Sequence, residues 1–184
     1  MAILLEKKIA RLSKGLKYLS LLGVLLFPLL TFIYWMLDLP EAGFLARQNW
    51  YVKFSDMPAI SHVALSFKMR LLGFSIDLIP CVFFISILIL LAKLFNQYER
   101  LQFFSKKNTQ HIRAIAYTLF GYLLVFPIYA ALRSYVFTSP GEKRIVVLFG
   151  RNDFKLIMIS FAILLLAYIS EAAHRLEEEI TGLV

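Results

Sequence analysis

The sequence predicts an all-α polytopic membrane protein with four transmembrane helices, and three observations predict it. Of 184 residues, 60% are hydrophobic and the mean hydropathy is +0.72, whereas soluble domains hold about half apolar residues. Four separate stretches reach the roughly 20 mostly apolar residues that crossing a bilayer requires. Basic residues crowd the segment before the first of them, as expected of a span held by its charged flank.

Residues 1–17 come first. Leu5, Ile9, Leu12 and Leu16 fall on one helical stripe, and Lys7, Lys8, Arg11 and Lys14 lie mostly off it. The pattern predicts an amphipathic helix lying on anionic lipid. The formal charge of +8 fits anionic headgroups; no nucleic-acid-binding signature accompanies it, so direct nucleic-acid binding is not expected. The first span follows at 18–37, "YLSLLGVLLFPLLTFIYWML". It is longer than the roughly 7–15-residue core of a cleaved signal peptide, and no small-x-small site closely follows it. Tyr34 and Trp35 near its end, like Tyr135 and Phe137 on the third span, are expected at the membrane boundary.

An outer loop, 38–70, leads to the second span, 71–95. The third span is 114–137 and the fourth 156–173, joined by a second outer loop, 138–155. The stretches "YVKF" and "RIVVLF" in these loops are rich in β-formers and are compatible with a small β-cap or with plain interfacial loops. Between the second and third spans, "FFSKKNTQHIRAI" predicts a tight turn with Ser105 capping the third helix. Residues 18–184 thus form one four-helix domain. Its tail, 174–184, carries Glu177, Glu178 and Glu179 beside an apolar stripe, either a solvated face or a dock for a cytosolic partner or for the basic N-terminal helix.

The two halves echo each other. Tyr18 and Pro28 are spaced as Tyr117 and Pro127 are, and the second and fourth spans each carry Ile-Ser, with Arg-Leu beyond them. Either the hairpin is duplicated or leucine-rich spans coincide. Basic residues number eleven on the side of the termini and nine on the other. The five before the first span therefore set the expected orientation, both termini cytoplasmic.

Within the second span, "FSIDLIPC" places Asp77 about 10 Å deep, counted from Arg70 at 1.5 Å per residue. Arg133 on the third span lies roughly 6 Å deep from the same face. A lone charge near the bilayer centre costs about 2.5–3.5 kcal/mol on insertion scales. Two arrangements answer that cost: an Asp77–Arg133 ion pair or its water-bridged equivalent, or a snorkelling Arg133 with Asp77 in a wet vestibule. Pro28, Pro80 and Pro127 lie at similar depth and predict helix kinks at one level. They either hinge an outward cavity or shape the bundle's outer half.

Catalytic machinery is not evident. His62, His111 and His174 are not at metal-ligand spacing, and no phosphate loop or activated nucleophile is present. No enzymatic activity, metal or cofactor is expected. The single cysteine, Cys81, makes no internal disulfide.

The middle segment, "LAKLFNQYERLQFFSKKNTQHIRAIAYTLFGYLL", resembles the signature of a bacterial family of small four-span membrane proteins catalogued only as a domain of unknown function. "LLLAYISEAAHRLEEEITGLV" is similar to that family's terminal segment, and "IARLSKGLKYLSLLGVLLFPLLTFIYWML" to its first span. The chain departs from the pattern at Lys106 and Lys107, where acidic residues often follow the serine; Asn108 stands in for the missing capping glutamate. The resemblance implies a bacterial inner-membrane location. It implies a regulatory role as well, since such genes often neighbour a small helix-turn-helix regulator.

The leading expectation is a non-enzymatic regulatory or accessory protein that binds a protein partner or a membrane-dissolved ligand and signals through its cytoplasmic helix ends. Membrane lipids are expected partners, with a further protein in the inner membrane, a cytosolic regulator or a second copy of the chain as readings. Alternatives are a small transporter or channel-forming oligomer using Asp77, and an immunity protein against a pore-forming toxin.

Overall fold

Hydrocarbon offers a backbone N–H or C=O no solvent partner, so an apolar chain that crosses it must satisfy those groups within helices. The computed structural model, which describes residues 2–36, 66–102, 105–137 and 151–182, is built that way. Its four elements are α1 (Ala2–Met36), α2 (Phe67–Glu99), α3 (Lys106–Phe137) and α4 (Arg151–Gly182). All four are long and apolar enough to cross a membrane. The protein is thus an all-α polytopic membrane protein with four transmembrane helices. The predicted β-cap falls in segments outside the described residues, as does most of both outer loops.

One boundary differs from expectation. Residues up to 17 do not form a separate interfacial helix, because α1 runs unbroken from Ala2 through Pro28 to Met36. Nothing before Pro28 interrupts the ladder, and Gly15 lies within the continuous helix. A 35-residue helix is about 52 Å long against roughly 30 Å of hydrocarbon. The basic, amphipathic stretch is therefore the projecting end of the span. Lys17 helps to hold it in line by pairing with Glu99 of α2 and reaching Asn96 Oδ1 at 3.3 Å.

Neighbouring helices pack antiparallel in chain order: α1 on α2, α2 on α3, α3 on α4. The start of α1 and the end of α4 consequently share one end of the molecule with the α2–α3 turn. Among the described residues the pair α1–α4 is not one of the closely packed seams. Small residues permit close approach along the seams, as expected where lipid supplies no hydrophobic drive to associate. Ala116, Ala130 and Ala167 are fully buried. Aromatic rings interlock Phe27 with Phe84, Phe83 with Tyr122, and Phe120 with Phe161. Hydroxyls within the spans return to the backbone four residues earlier, as Ser20 does to the Leu16 carbonyl, Thr31 to Phe27 and Ser160 to Leu156. That makes them tolerable in hydrocarbon. Leu25, Leu124 and Leu165 face outward, as a lipid-exposed surface requires.

The α2–α3 turn is tightly specified. Gln102 N–H bonds the Gln97 carbonyl and Leu101 N–H that of Tyr98, each at 3.1 Å, which is the Schellman pattern. Leu101 occupies its left-handed position at φ 59°, where glycine is usual. Ser105 caps α3, its Oγ accepting from Asn108 N–H at 3.2 Å and donating to Gln97 Oε1 at 2.9 Å. A leucine in the left-handed region costs about 1–2 kcal/mol, and glycine returns part of that as chain entropy. Leu101→Gly is therefore expected to stabilise the protein by about 0.5–1 kcal/mol, read as a rise in the thermal unfolding midpoint in mild detergent.

Candidate functional site

Asp77 sits on α2 with 1% of its surface exposed, and each carboxylate oxygen is engaged from another helix. Trp35 Nε1–H of α1 donates to Oδ2 at 2.9 Å. Tyr129 O–H of α3 donates to Oδ1 at 2.8 Å. Arg133 Nη1 lies 3.2 Å from Oδ1 and 3.5 Å from Oδ2, and the same nitrogen donates to the Tyr129 hydroxyl at 2.7 Å. Of the two sequence readings, the structure contains the direct ion pair. Arg133 does not snorkel outward; it is 5% exposed.

The local sequence explains the geometry. Tyr129 and Arg133 are four residues apart and so share one face of α3, which lets the hydroxyl sit between the guanidinium and the carboxylate. It passes polarisation from one to the other, as a chain of hydrogen bonds in a low-dielectric interior does. Gly73, four residues before Asp77, occupies the same face of α2. A Cβ there would lie 2.2 Å from the Trp35 ring, so only hydrogen leaves space for the indole. The cluster thus joins α1, α2 and α3 through one carboxylate, with the formal charges of Asp77 and Arg133 cancelling.

Trp35 and Tyr129 escaped the sequence reading. Trp35 was expected in the interfacial belt, yet it is 1% exposed. An indole N–H within the spans needs an acceptor, and Asp77 supplies it. The i,i+4 spacing of Tyr129 to Arg133 and of Gly73 to Asp77 is the signal that could have found the site. Tyr34 is partly buried beside Arg133, and Tyr135 is exposed.

One helical turn further from this cluster lies a cavity of ≈ 300 Å³. Thr31, four residues before Trp35, and Cys81, four after Asp77, line it together with Pro80, Tyr122, Phe27 and Leu156. Its walls come from all four helices and are almost wholly apolar. Pro80 is thus brought to the cavity. Pro28 and Pro127 are half-buried, within helices that run through them.

At the termini end, Lys7, Lys8, Arg11 and Lys14 are exposed, as is Glu179; the side chains of Glu177 and Glu178 lie outside the described residues. Among the described residues, α1 and α4 form no closely packed seam that would join the basic group to Glu179. Arg113 of α3 instead pairs with Glu171 of α4, and Thr109 and Ser170 hydroxyls meet at 3.1 Å. Among the described residues no cluster of His, Cys, Asp or Glu could hold a metal ion.

Comparison with protein families matches residues 54–181 to the family described as "Protein of unknown function (DUF2975)". No curated protein and no solved structure matches the chain.

Removing one member of a buried ion pair strands the other, at about 3–5 kcal/mol. Asp77→Ala and Arg133→Ala are each expected to cost that much, measured by denaturation in mild detergent. Asp77→Ala combined with Arg133→Ala is expected to cost less than the sum of the two single losses, by a coupling of about 0.5–3 kcal/mol. Gly73→Ala is expected to displace the indole. Its check is a shifted Trp35 fluorescence maximum in a Trp50→Phe background, together with a lowered unfolding midpoint.

Proposed function

We propose a function for a chain that belongs to the DUF2975 family, proteins of unknown function: it is a non-enzymatic membrane protein that holds an apolar, membrane-dissolved molecule between its helices and reports occupancy through its helix ends. One observation carries this reading. The ≈ 300 Å³ cavity has apolar walls drawn from every helix, and ligand sites are hollows of about 300–1,000 Å³ with mostly apolar linings. The side lacking an α1–α4 seam gives acyl-chain-like molecules a route in from lipid.

The regulatory part of the reading is supported by the arrangement of the ends. The exposed basic start of α1 and the acidic end of α4 are continuous with helices that wall the cavity. A molecule lodged between α1 and α4 would shift both ends, with a cytosolic regulator or membrane partner as the listener. The reading puts the protein in a bacterial inner membrane with both ends cytoplasmic, on the strength of the basic residues before the first span.

A transport role for Asp77 is less well supported. The carboxylate accepts from Trp35, Tyr129 and Arg133, which leaves it poorly placed to take up and release an ion.

The test is native purification in mild detergent followed by mass spectrometry of extracted small molecules. Wild type is expected to retain an apolar molecule in near-stoichiometric amount. Cys81→Phe, which places a ring in the cavity, is expected to retain less than a tenth as much while keeping a wild-type circular dichroism spectrum. Equal retention by both proteins, or none by either, would refute the reading.

A further inference from the structure

A second hollow lies at the other end of the molecule, where α3 begins and α4 ends. It measures ≈ 240 Å³ and is lined by Lys106, Gln110 and Arg113 from α3 and by Glu171, His174 and Arg175 from α4. Its chemistry is opposite to that of the apolar cavity. Three fixed cations surround a single carboxylate.

That carboxylate is shared. Arg113 Nη2 bonds Glu171 Oε2, while Arg175 Nη2 bonds Oε1 at 3.0 Å. Each guanidinium carries five N–H donors, so one shared acceptor leaves most of them available. Arg113 Nε is buried with no acceptor among the described residues, in a position to bond an added group. Lys106 opens α3, so the positive end of the helix dipole adds to the same field. Ser105 meanwhile satisfies Asn108 N–H further along the first turn.

The surroundings identify the class of anion. The Arg113 guanidinium lies 5.4 Å from the centre of the Tyr168 ring, and Tyr168 and Leu176 are exposed on the lipid-facing surface of α4. The hollow therefore sits at the junction of apolar flank and charged helix end, the depth of headgroups. Paired guanidinium forks match the oxygens of phosphate, and basic pockets between transmembrane helices suit anionic headgroups. We propose that this hollow binds an anionic phosphate group, the chemistry shared by the headgroup of an acidic phospholipid and free phosphate. Lys106, Arg113 and Arg175 hold its oxygens, and Glu171 keeps the two guanidiniums apart and oriented. The site is independent of the apolar cavity.

The experiment measures the thermal unfolding midpoint of the full chain in neutral detergent at constant ionic strength. Phosphatidylglycerol, phosphatidylcholine or inorganic phosphate is added in separate arms. Phosphatidylglycerol is expected to raise the midpoint by roughly 5–10 °C more than phosphatidylcholine near saturation. In Lys106→Gln/Arg175→Gln the phosphatidylglycerol affinity is expected to fall roughly tenfold to thirtyfold. Lys106→Gln alone, at an exposed position, serves if the double variant does not fold, with a smaller fall expected. A rise with inorganic phosphate as well as lipid would identify the phosphate itself as sufficient; a rise with lipid alone would identify the headgroup with its chains. Both support the site. It is overturned if neither phosphate nor phosphatidylglycerol exceeds phosphatidylcholine. It is equally overturned if the preference survives these substitutions and disappears with Lys7→Gln/Lys8→Gln in α1.

Discussion

A single carboxylate in a hydrocarbon-bound bundle sets the terms for everything near it. Asp77 could occupy the second helix only if donors from elsewhere met both of its oxygens, and Trp35, Tyr129 and Arg133 do so. Because those donors come from α1 and α3, satisfying one side chain fixes the relative rotation of three helices. Apolar packing alone gives little such preference in lipid, where the tails are as apolar as the side chains. Burying an ion pair is weak evidence of net stability. Its value here is better seen as register: one rotation of each helix brings all four groups together. The glycine at 73 belongs to the same constraint, since it makes space for the ring whose N–H completes the set.

Much of the fold was legible in the sequence because lipid reduces the problem to length and hydropathy. The four spans, and Ser105 as the cap of α3, required no knowledge of tertiary structure. Asp77 and Arg133 stood out because charges within spans are rare and need an explanation. Trp35 did not, because an aromatic residue near a span's end also fits the interfacial belt. Only the register between α1 and α2 tells the two roles apart, and that register is a property of packing. Tyr129 was hidden for a related reason: a tyrosine in a span full of aromatic residues carries no distinguishing mark until its i,i+4 partner is known to be buried. The segment up to 17 was misread as a separate element because an amphipathic stripe looks alike on an interfacial helix and on the projecting end of a long span.

The two hairpins also share a device that their sequence echo only hinted at. In each, a basic residue in the termini-side half of the first helix pairs with a carboxylate in the termini-side half of the second, Lys17 with Glu99 and Arg113 with Glu171. Near the α2–α3 turn, Ser105 and Gln97 tie one hairpin to the other. The termini end is thus cross-linked by polar contacts through all three seams, and the Asp77 cluster cross-links the first two at the opposite end.

That asymmetry has a mechanical corollary. Polar bonds fasten α4 to α3 at Ser170 and Glu171, while from Leu156 onward its far half meets its neighbours through the apolar cavity wall and the Phe120–Phe161 ring contact. A shift of α4 against α3 would therefore pivot on the Thr109–Ser170 bond.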